Sequence, residues 1–418
     1  MRCRTEAKAG CGKGGGMNAI FACLRVNLLA RLLGAAVTCL CIACSPAPPA
    51  VVVDSAAGGL SSQGVLALPS DWASWQRFSR RFITPEGRVV DRTFGGKTTS
   101  EGQSYGLFFA LVAGDRRRFE NIRRWTAAEL AGGDLGERLP GWLWARRDDG
   151  TWGLKDGNSA ADADLWLAYT LLEAGRYWHE PRYTAQGRAL LSSIAAREVV
   201  ELDGGRVLLL PGPSGFDLGG GRYRFNPSYL PGFLFQALAN DDPVGPWERV
   251  WATYQELAPQ IFPAGVAPDL CIVDRDGRVF VDRETAAVGS YDAIRVYLWA
   301  GLSPAGPRSV LPLLHGLVPL LQEYGMPPEK LDAVSGRATA VAYSPPGFQG
   351  AVLPYLSAMG ATELLAGQQR RVEAHALAAR MGTNTQYYDE VLILFGVGWQ
   401  ERRFRFDEAG HLVLPPGR

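Results

Sequence analysis

The chain predicts an all-α fold, a toroid of paired helices carrying small β-hairpin insertions. Apolar residues recur at helical spacing in about twelve segments: 71–82, 101–113, 116–131, 160–174, 183–197, 227–239, 244–257, 292–301, 307–323, 347–358, 368–380 and 386–395. Strand-like pieces are short and few. They are Arg206-Val207-Leu208-Leu209-Leu210 between glycines, Cys271-Ile272-Val273 and Arg278-Val279-Phe280-Val281 flanking the turn Asp274-Arg275-Asp276-Gly277, and a terminal hairpin around Asp407-Glu408-Ala409-Gly410. Helices in sequence-adjacent pairs, joined by Gly/Pro loops, predict parallel inner helices and returning outer ones. The inner N-termini then share one face.

Residues 1–50 differ in character from the rest. Arg25 and Arg31 precede the short apolar run Leu32–Cys44, and Ser45-Pro46-Ala47-Pro48-Pro49-Ala50 follows it, which reads as a secretory signal; Met17 is an alternative start. The run is too short for a comfortable membrane span. Periplasmic or secreted localisation is expected, with cleavage near Cys44 or a lipid on Cys44 as the two readings. Residues 51–68 are small, apolar or Gly/Ser-rich and read as a tether, leaving 69–418 as the folded domain. Six of the 7 cysteines lie in the leader, so only Cys271 remains in that domain and no internal disulfide is available. A domain of this size supplies a core large enough to do without one.

Lys+Arg 43 against Asp+Glu 42, with no basic block, excludes the electrostatic footprint of a polyanion binder and points to a neutral partner rather than nucleic acid. The 12 Trp and 14 Tyr supply many flat apolar faces with polar edges. His179, His315, His375 and His411 are scattered without metal-ligand spacing, so no catalytic metal and no cofactor are expected. A Rossmann glycine pattern, a P-loop, a nucleophile elbow and an HExxH motif are all missing from the chain.

Three acidic residues start helices in segments crowded with aromatic and small residues: Glu101, Asp162 with Asp164 beside it, and Asp292. Each has an ordinary explanation. Ser100 with Gln103 reads as a capping box, Ser159 with Asp162 repeats the pattern, and Asp292 follows Ser290. Gly102 and Gly106 weigh against a purely structural helix, because each costs about 1 kcal/mol relative to Ala. They leave room for something to approach. Two carboxylates flanking a bond are the minimal apparatus for hydrolysing a glycosidic linkage.

The segments Glu101-Gly102-Gln103-Ser104-Tyr105-Gly106, Ala161-Asp162-Ala163-Asp164-Leu165-Trp166 and Tyr291-Asp292-Ala293-Ile294-Arg295 resemble the acid, signature and base segments of glycoside hydrolase family 8, once called cellulase family D. Ala161 stands where that signature carries a hydroxyl. The likeness runs from about Trp72 to Phe406, through Arg138-Leu139-Pro140-Gly141-Trp142-Leu143-Trp144 and Phe225-Asn226-Pro227-Ser228-Tyr229, and is similar to the branch of periplasmic endoglucanases encoded with bacterial cellulose synthases. It implies an (α/α)6 barrel and inverting hydrolysis of β-1,4-glucan. Glu101 would be the acid, Asp292 the base, and Asp162 a binder that distorts the sugar; the reverse assignment of Asp162 and Asp292 stays open.

Arg295, one helical turn beyond Asp292, either tunes that carboxylate or is a plain salt bridge. Tyr105, Trp142, Trp144, Trp166, Tyr229 and Trp299 are the candidate sugar-stacking residues, with Asp164 and Asn226 as polar contacts. Trp166 and Trp299 lie at apolar helical spacing and read equally well as core. The implied partners are a β-1,4-glucan and the secretion complex of a cellulose synthase. Xylan, chitosan or mixed-linkage glucan is the alternative substrate class, and a non-hydrolytic glucan-binding subunit the alternative of another kind.

Overall fold

The computed structural model describes residues 72–383 and 385–416. The leader, Met17, Cys44 and tether expectations lie outside the described residues.

Twelve α-helices are found among the described residues: α1 Ala73–Phe82, α2 Ser100–Val112, α3 Arg116–Leu130, α4 Ala161–Trp178, α5 Pro181–Arg197, α6 Gly232–Asp241, α7 Trp247–Ile261, α8 Ala293–Leu302, α9 Leu317–Tyr324, α10 Pro346–Ala358, α11 Thr362–Arg380 and α12 Tyr387–Gln400. The even-numbered helices form an inner ring in which α2 packs on α4, α4 on α6, α6 on α8, α8 on α10 and α10 on α12. Phe395 of α12 closes the ring against Phe108 and Phe109 of α2, with ring centroids 5.8 and 4.5 Å apart. Outer helices α3, α5, α7 and α11 back onto the inner helix that precedes each, and the first helix, α1, backs onto the last, α12. The arrangement is the expected (α/α)6 barrel.

Residue pattern explains which helix goes where. All of α8 is buried, as is all of α2 except Glu101, and a helix apolar all round belongs in the interior. Outer α3 buries only Phe119, Ile122, Thr126, Ala127 and Leu130, a single stripe at helical spacing. Two expected helices are shorter than the pattern suggested. Pro231 cannot donate a backbone N–H, so the 227–239 segment is a 3-10 turn at Pro227–Tyr229 followed by α6. Prolines 307 and 312 and Gly316 similarly break 307–323 into a 3-10 turn, Leu311–Leu314, and the short α9.

The hairpin expected around residue 275 is present as β5 Cys271–Asp274 and β6 Val279–Val281, joined by β4 Arg222–Phe225 as a third strand. The sequence reading missed the sheet β1 Thr98–Thr99, β2 Leu143–Arg146 and β3 Trp152–Asp156, whose register pairs Thr98 with Trp144 and Arg146 with Trp152. The sheet leads straight into α2.

Inner helices approach closely where glycines face each other. A Cβ on Gly396 of α12 would overlap the carbonyl oxygen of Gly350 on α10, whereas one on Gly367 of outer α11 would meet nothing within 4 Å. Gly396→Ala is therefore expected to lower stability by about 3 kcal/mol, the upper part of the range for an overpacked core. Gly367→Ala is expected to raise it by up to about 1 kcal/mol through helix propensity. Urea midpoints measured side by side check this; equal effects at the two sites would mean that the inner ring relaxes around the added methyl.

Candidate active site

The N-terminal turns of α2, α4 and α8 bring Glu101, Asp162 and Asp292 around one guanidinium. Arg295 lies one turn into α8, is only 2% exposed, and donates through Nη1 to Glu101 Oε2 and to Asp162 Oδ2 at 2.9 Å. Its Nη2 donates to Asp292 Oδ1 at 2.7 Å and to Ser228 Oγ at 3.2 Å, and Nη1 also reaches Tyr105 Oη at 3.2 Å. The sequence reading had offered Arg295 only Asp292 as a partner. Asn226 Nδ2 donates to the other oxygen of Asp292 at 3.2 Å, while Asn226 Oδ1 accepts from the Ser228 backbone N–H and hydroxyl. Exposure grades across the site: the Asp162 side chain is 5% exposed, Glu101 22% and Asp292 36%, so Asp292 is the carboxylate most open to water.

None of the predicted capping boxes forms. Thr99 Oγ1 caps α2 by accepting from Gly102 N, and Gln103 instead accepts from Val89 N and donates to Gly87 O and Thr126 Oγ1. Ser159 donates to Glu198 Oε1 at 2.5 Å rather than capping α4. Asp269, from a loop the sequence reading passed over, accepts from the N–H groups of Ser290, Asp292 and Ala293 and so caps α8 from across the chain. Nor do the glycines of α2 admit a ligand. A Cβ on Gly106 would lie 2.8 Å from Val89 Cγ2, and one on Gly102 3.4 Å from Tyr387 Oη, so the space is filled by the protein itself.

Several expected sugar contacts are placed elsewhere. Tyr105, Asp164, Trp166 and Trp299 are at most 2% exposed and lie in the interior. Trp166 and Trp299, 5.3 Å apart, pack on Phe395 and form the floor beneath the carboxylates, because apolar helical spacing turned both rings to the axis. Trp142, Trp144 and Tyr229 are half-buried, and the Tyr229 ring centroid lies 5.7 Å from the Arg295 guanidinium. Trp142 is tied in place by its backbone, which accepts from Ser100 N and donates to Asn158 O. The sequence reading missed Tyr388, half-buried, whose hydroxyl donates to Tyr291 O at 2.6 Å.

Burial pushes the Glu101 carboxyl up to about 7; Arg295 opposes the rise, and Asp162 and Asp292 add to it. The group can therefore carry a proton near neutral pH despite its place at a helix start. Burial also raises Asp162, against the pull of Arg295 and the Ala163 N–H. Asp164 sits behind it in contact with the Glu198 carboxyl. Burial and Glu198 push Asp164 up strongly, and burial takes Glu198 to about 8. Two buried carboxyl groups this close repel when both are ionised, so a proton on one of them relieves the pair.

A carboxyl whose folded value is raised contributes stability that is complete below its unfolded value and is lost as pH rises through the folded one. For Glu198 that window runs from about 4.5 to about 8. The melting temperature should therefore fall as pH rises from 5 to 8.5, and Glu198→Gln should flatten the slope, because an amide donates to Asp164 without titrating. Calorimetry across that range reads it; parallel slopes for the two proteins would exclude the pair as the titrating element.

Residues 53–402 match the family described as Glycosyl hydrolases family 8. The chain is 43% identical over 346 residues to an endoglucanase of Salmonella typhi, covering 82% of this chain and 90% of that one. It is 43% identical over 356 residues to an endoglucanase of Xanthomonas axonopodis pv. citri, covering 83% and 91%. The crystal structure of an endo-1,4-D-glucanase from Vibrio fischeri superposes with a TM-score of 0.77 at 37% identity, over 82% of this chain and 99% of that one. A barrel whose inner helices converge three carboxyl groups on one arginine, in a chain matched along this much of its length, belongs to glycosyl hydrolase family 8 and is a glycoside hydrolase.

Proposed function

We propose that this protein is an inverting endo-β-1,4-glucanase in which Glu101 is the general acid, Asp292 the general base and Asp162 the residue that grips the sugar before the cleaved bond. The observation that carries this reading is the shared guanidinium: one arginine holds carboxyl groups from three helix starts, with Glu101 on Nη1 and Asp292 on Nη2. The named activity of the endoglucanase relatives supports the substrate class.

In the reaction, the Glu101 proton passes to the glycosidic oxygen as the bond to the anomeric carbon breaks. A water on the opposite face attacks that carbon and gives its proton to Asp292, a displacement that needs the two carboxyls roughly 6.5–9.5 Å apart. Binding on opposite nitrogens of Arg295 keeps Glu101 and Asp292 separated, and Asn226 orients the second oxygen of Asp292. The raised Glu101 carboxyl supplies a proton donor at neutral pH, and the partial exposure of Asp292 leaves water beside the base. Export to the periplasm and service to a cellulose synthase fit the leader and the glucanase reading together.

Proton NMR at early times should find the α-anomer first from a β-linked cello-oligosaccharide, because a single displacement inverts the anomeric carbon. A β-anomer appearing first would replace this scheme with a covalent one. Glu101→Gln and Asp292→Asn are each expected to cut turnover of carboxymethyl cellulose by about 10³-fold or more while the amide oxygen still accepts from Arg295 and circular dichroism shows the protein folded. An active Asp292→Asn beside an inactive Asp162→Asn would reverse the assignment of the base.

A further inference from the structure

Asp162 and Asp292 occupy comparable places in the first turns of α4 and α8, yet their oxygens are spent differently. Asp162 Oδ1 accepts from the N–H of the next residue, Ala163, at 2.7 Å, leaving Oδ2 for Arg295. Asp292 leaves the corresponding N–H alone. The Ala293 N–H donates instead to Asp269 Oδ1 at 2.8 Å, and the same oxygen accepts from Ser290 N at 2.8 Å and Asp292 N at 3.1 Å. The helical turn opens here, since Ser290 O accepts from Ile294 N at 3.1 Å. N–H groups of a first turn have no partner within the helix, and an aspartate beside them is a favoured acceptor. Asp292 is placed for that task, and Asp269 performs it. Both oxygens of Asp292 are thereby left to Arg295, Asn226 and water.

Asp269 is only 7% exposed, and its loop is tied to α8 from both sides. Its own N–H donates to Val288 O at 2.7 Å, and the Ala267 N–H donates to the hydroxyl of Tyr297, a side chain of α8 itself, at 2.9 Å. A Cβ on Gly289 would lie 2.1 Å from Ala267 O, so the loop passes hard against the residues that lead into α8. We propose that Asp269 is a positioning residue for the reaction: by taking the N–H groups at the start of α8, it keeps the Asp292 carboxylate turned toward the water it activates. The proposal rests on the assignment of Asp292 as base made above. Asp162 shows the alternative arrangement. A carboxylate drawn onto the N–H of its own helix is a weaker base and has less of itself free for water. That suits a residue that grips sugar and disables one that must take a proton. Misplacing a reacting group by about 1 Å can cost on the order of 10²-fold in rate, so a cap that fixes the base acts on catalysis as well as on stability.

Steady-state kinetics on carboxymethyl cellulose test the role, with circular dichroism to show that each variant is folded at the assay temperature. Asp269→Ala frees the three N–H groups, and kcat is expected to fall about 10²-fold with KM within about twofold of the wild-type value. Asp269→Asn, which keeps an oxygen acceptor in place, is expected to recover most of that loss. Tyr297→Phe removes the acceptor of the Ala267 N–H while leaving every carboxyl intact, and decides the matter if the alanine variant does not fold. A severalfold fall in kcat at constant KM is expected for it. A crystal structure of the Asp269→Ala protein should show the Asp292 carboxylate turned onto Ala293 N, as Asp162 is turned onto Ala163 N. Folded variants with wild-type kcat overturn the proposal and leave Asp269 a cap for stability alone. An asparagine variant as impaired as the alanine one also overturns it, because capping would then not be the cause. An active Asp292→Asn, by contrast, overturns the base assignment itself, and this role with it.

Discussion

A guanidinium sealed from solvent is tolerated only if its charge and its donors are met, and Arg295 meets them with three carboxyl groups drawn from positions far apart in the chain. That requirement fixes much else. Glu101, Asp162 and Asp292 can reach one arginine only if α2, α4 and α8 begin on the same face of the ring, which parallel inner helices guarantee. Removing any one acid leaves a buried cation with fewer partners, and removing the arginine leaves acids repelling one another in a poorly hydrated place. Catalytic geometry and the integrity of the inner ring are therefore the same constraint seen from two sides.

Ordinary duties at the helix starts fall to neighbours. Thr99 caps α2, Asp269 caps α8, and Ser159 goes to Glu198, so Glu101 and Asp292 are spared from capping their own helices. Asp162 is the partial exception, since it also accepts from Ala163 N. A carboxylate engaged as a cap is held ionised by the N–H groups it satisfies. Freed of that task, Glu101 is pushed up to about 7 by burial, with Asp162 and Asp292 adding to the rise. The Asp164 and Glu198 carboxyls, both raised by burial, lie deeper in the interior than Asp162.

The legible part of the fold was periodic. Helical spacing located the twelve helices, and their sequence-adjacent pairing predicted inner and returning outer ones. The three acids were legible because each stands at a helix start in a distinctive local run. Asp269 and Glu198 were not, because they act across 20 to 40 residues and nothing in Ala267-Pro268-Asp269 or Arg197-Glu198-Val199 signals a distant partner. Gly102 and Gly106 were read correctly as space and wrongly as space for a ligand; only packing could reveal Val89 and Tyr387 in it. Trp166 and Trp299 illustrate a similar ambiguity, since an aromatic on an inner helix faces either the cleft or the axis, and the turn of one residue decides.

The pairing of α1 with α12 has a consequence for how the molecule is made. Elements more than 300 residues apart in sequence must meet before the ring is closed, so the fold carries contacts of very high sequence separation, and such contacts slow folding. Until α12 arrives, Phe108 and Phe109 lack the ring of Phe395, and the aromatic floor stands open along one side. Intermediates with such exposed apolar surface are the ones prone to self-association. The interval before α12 docks is therefore the one in which chaperone protection counts most.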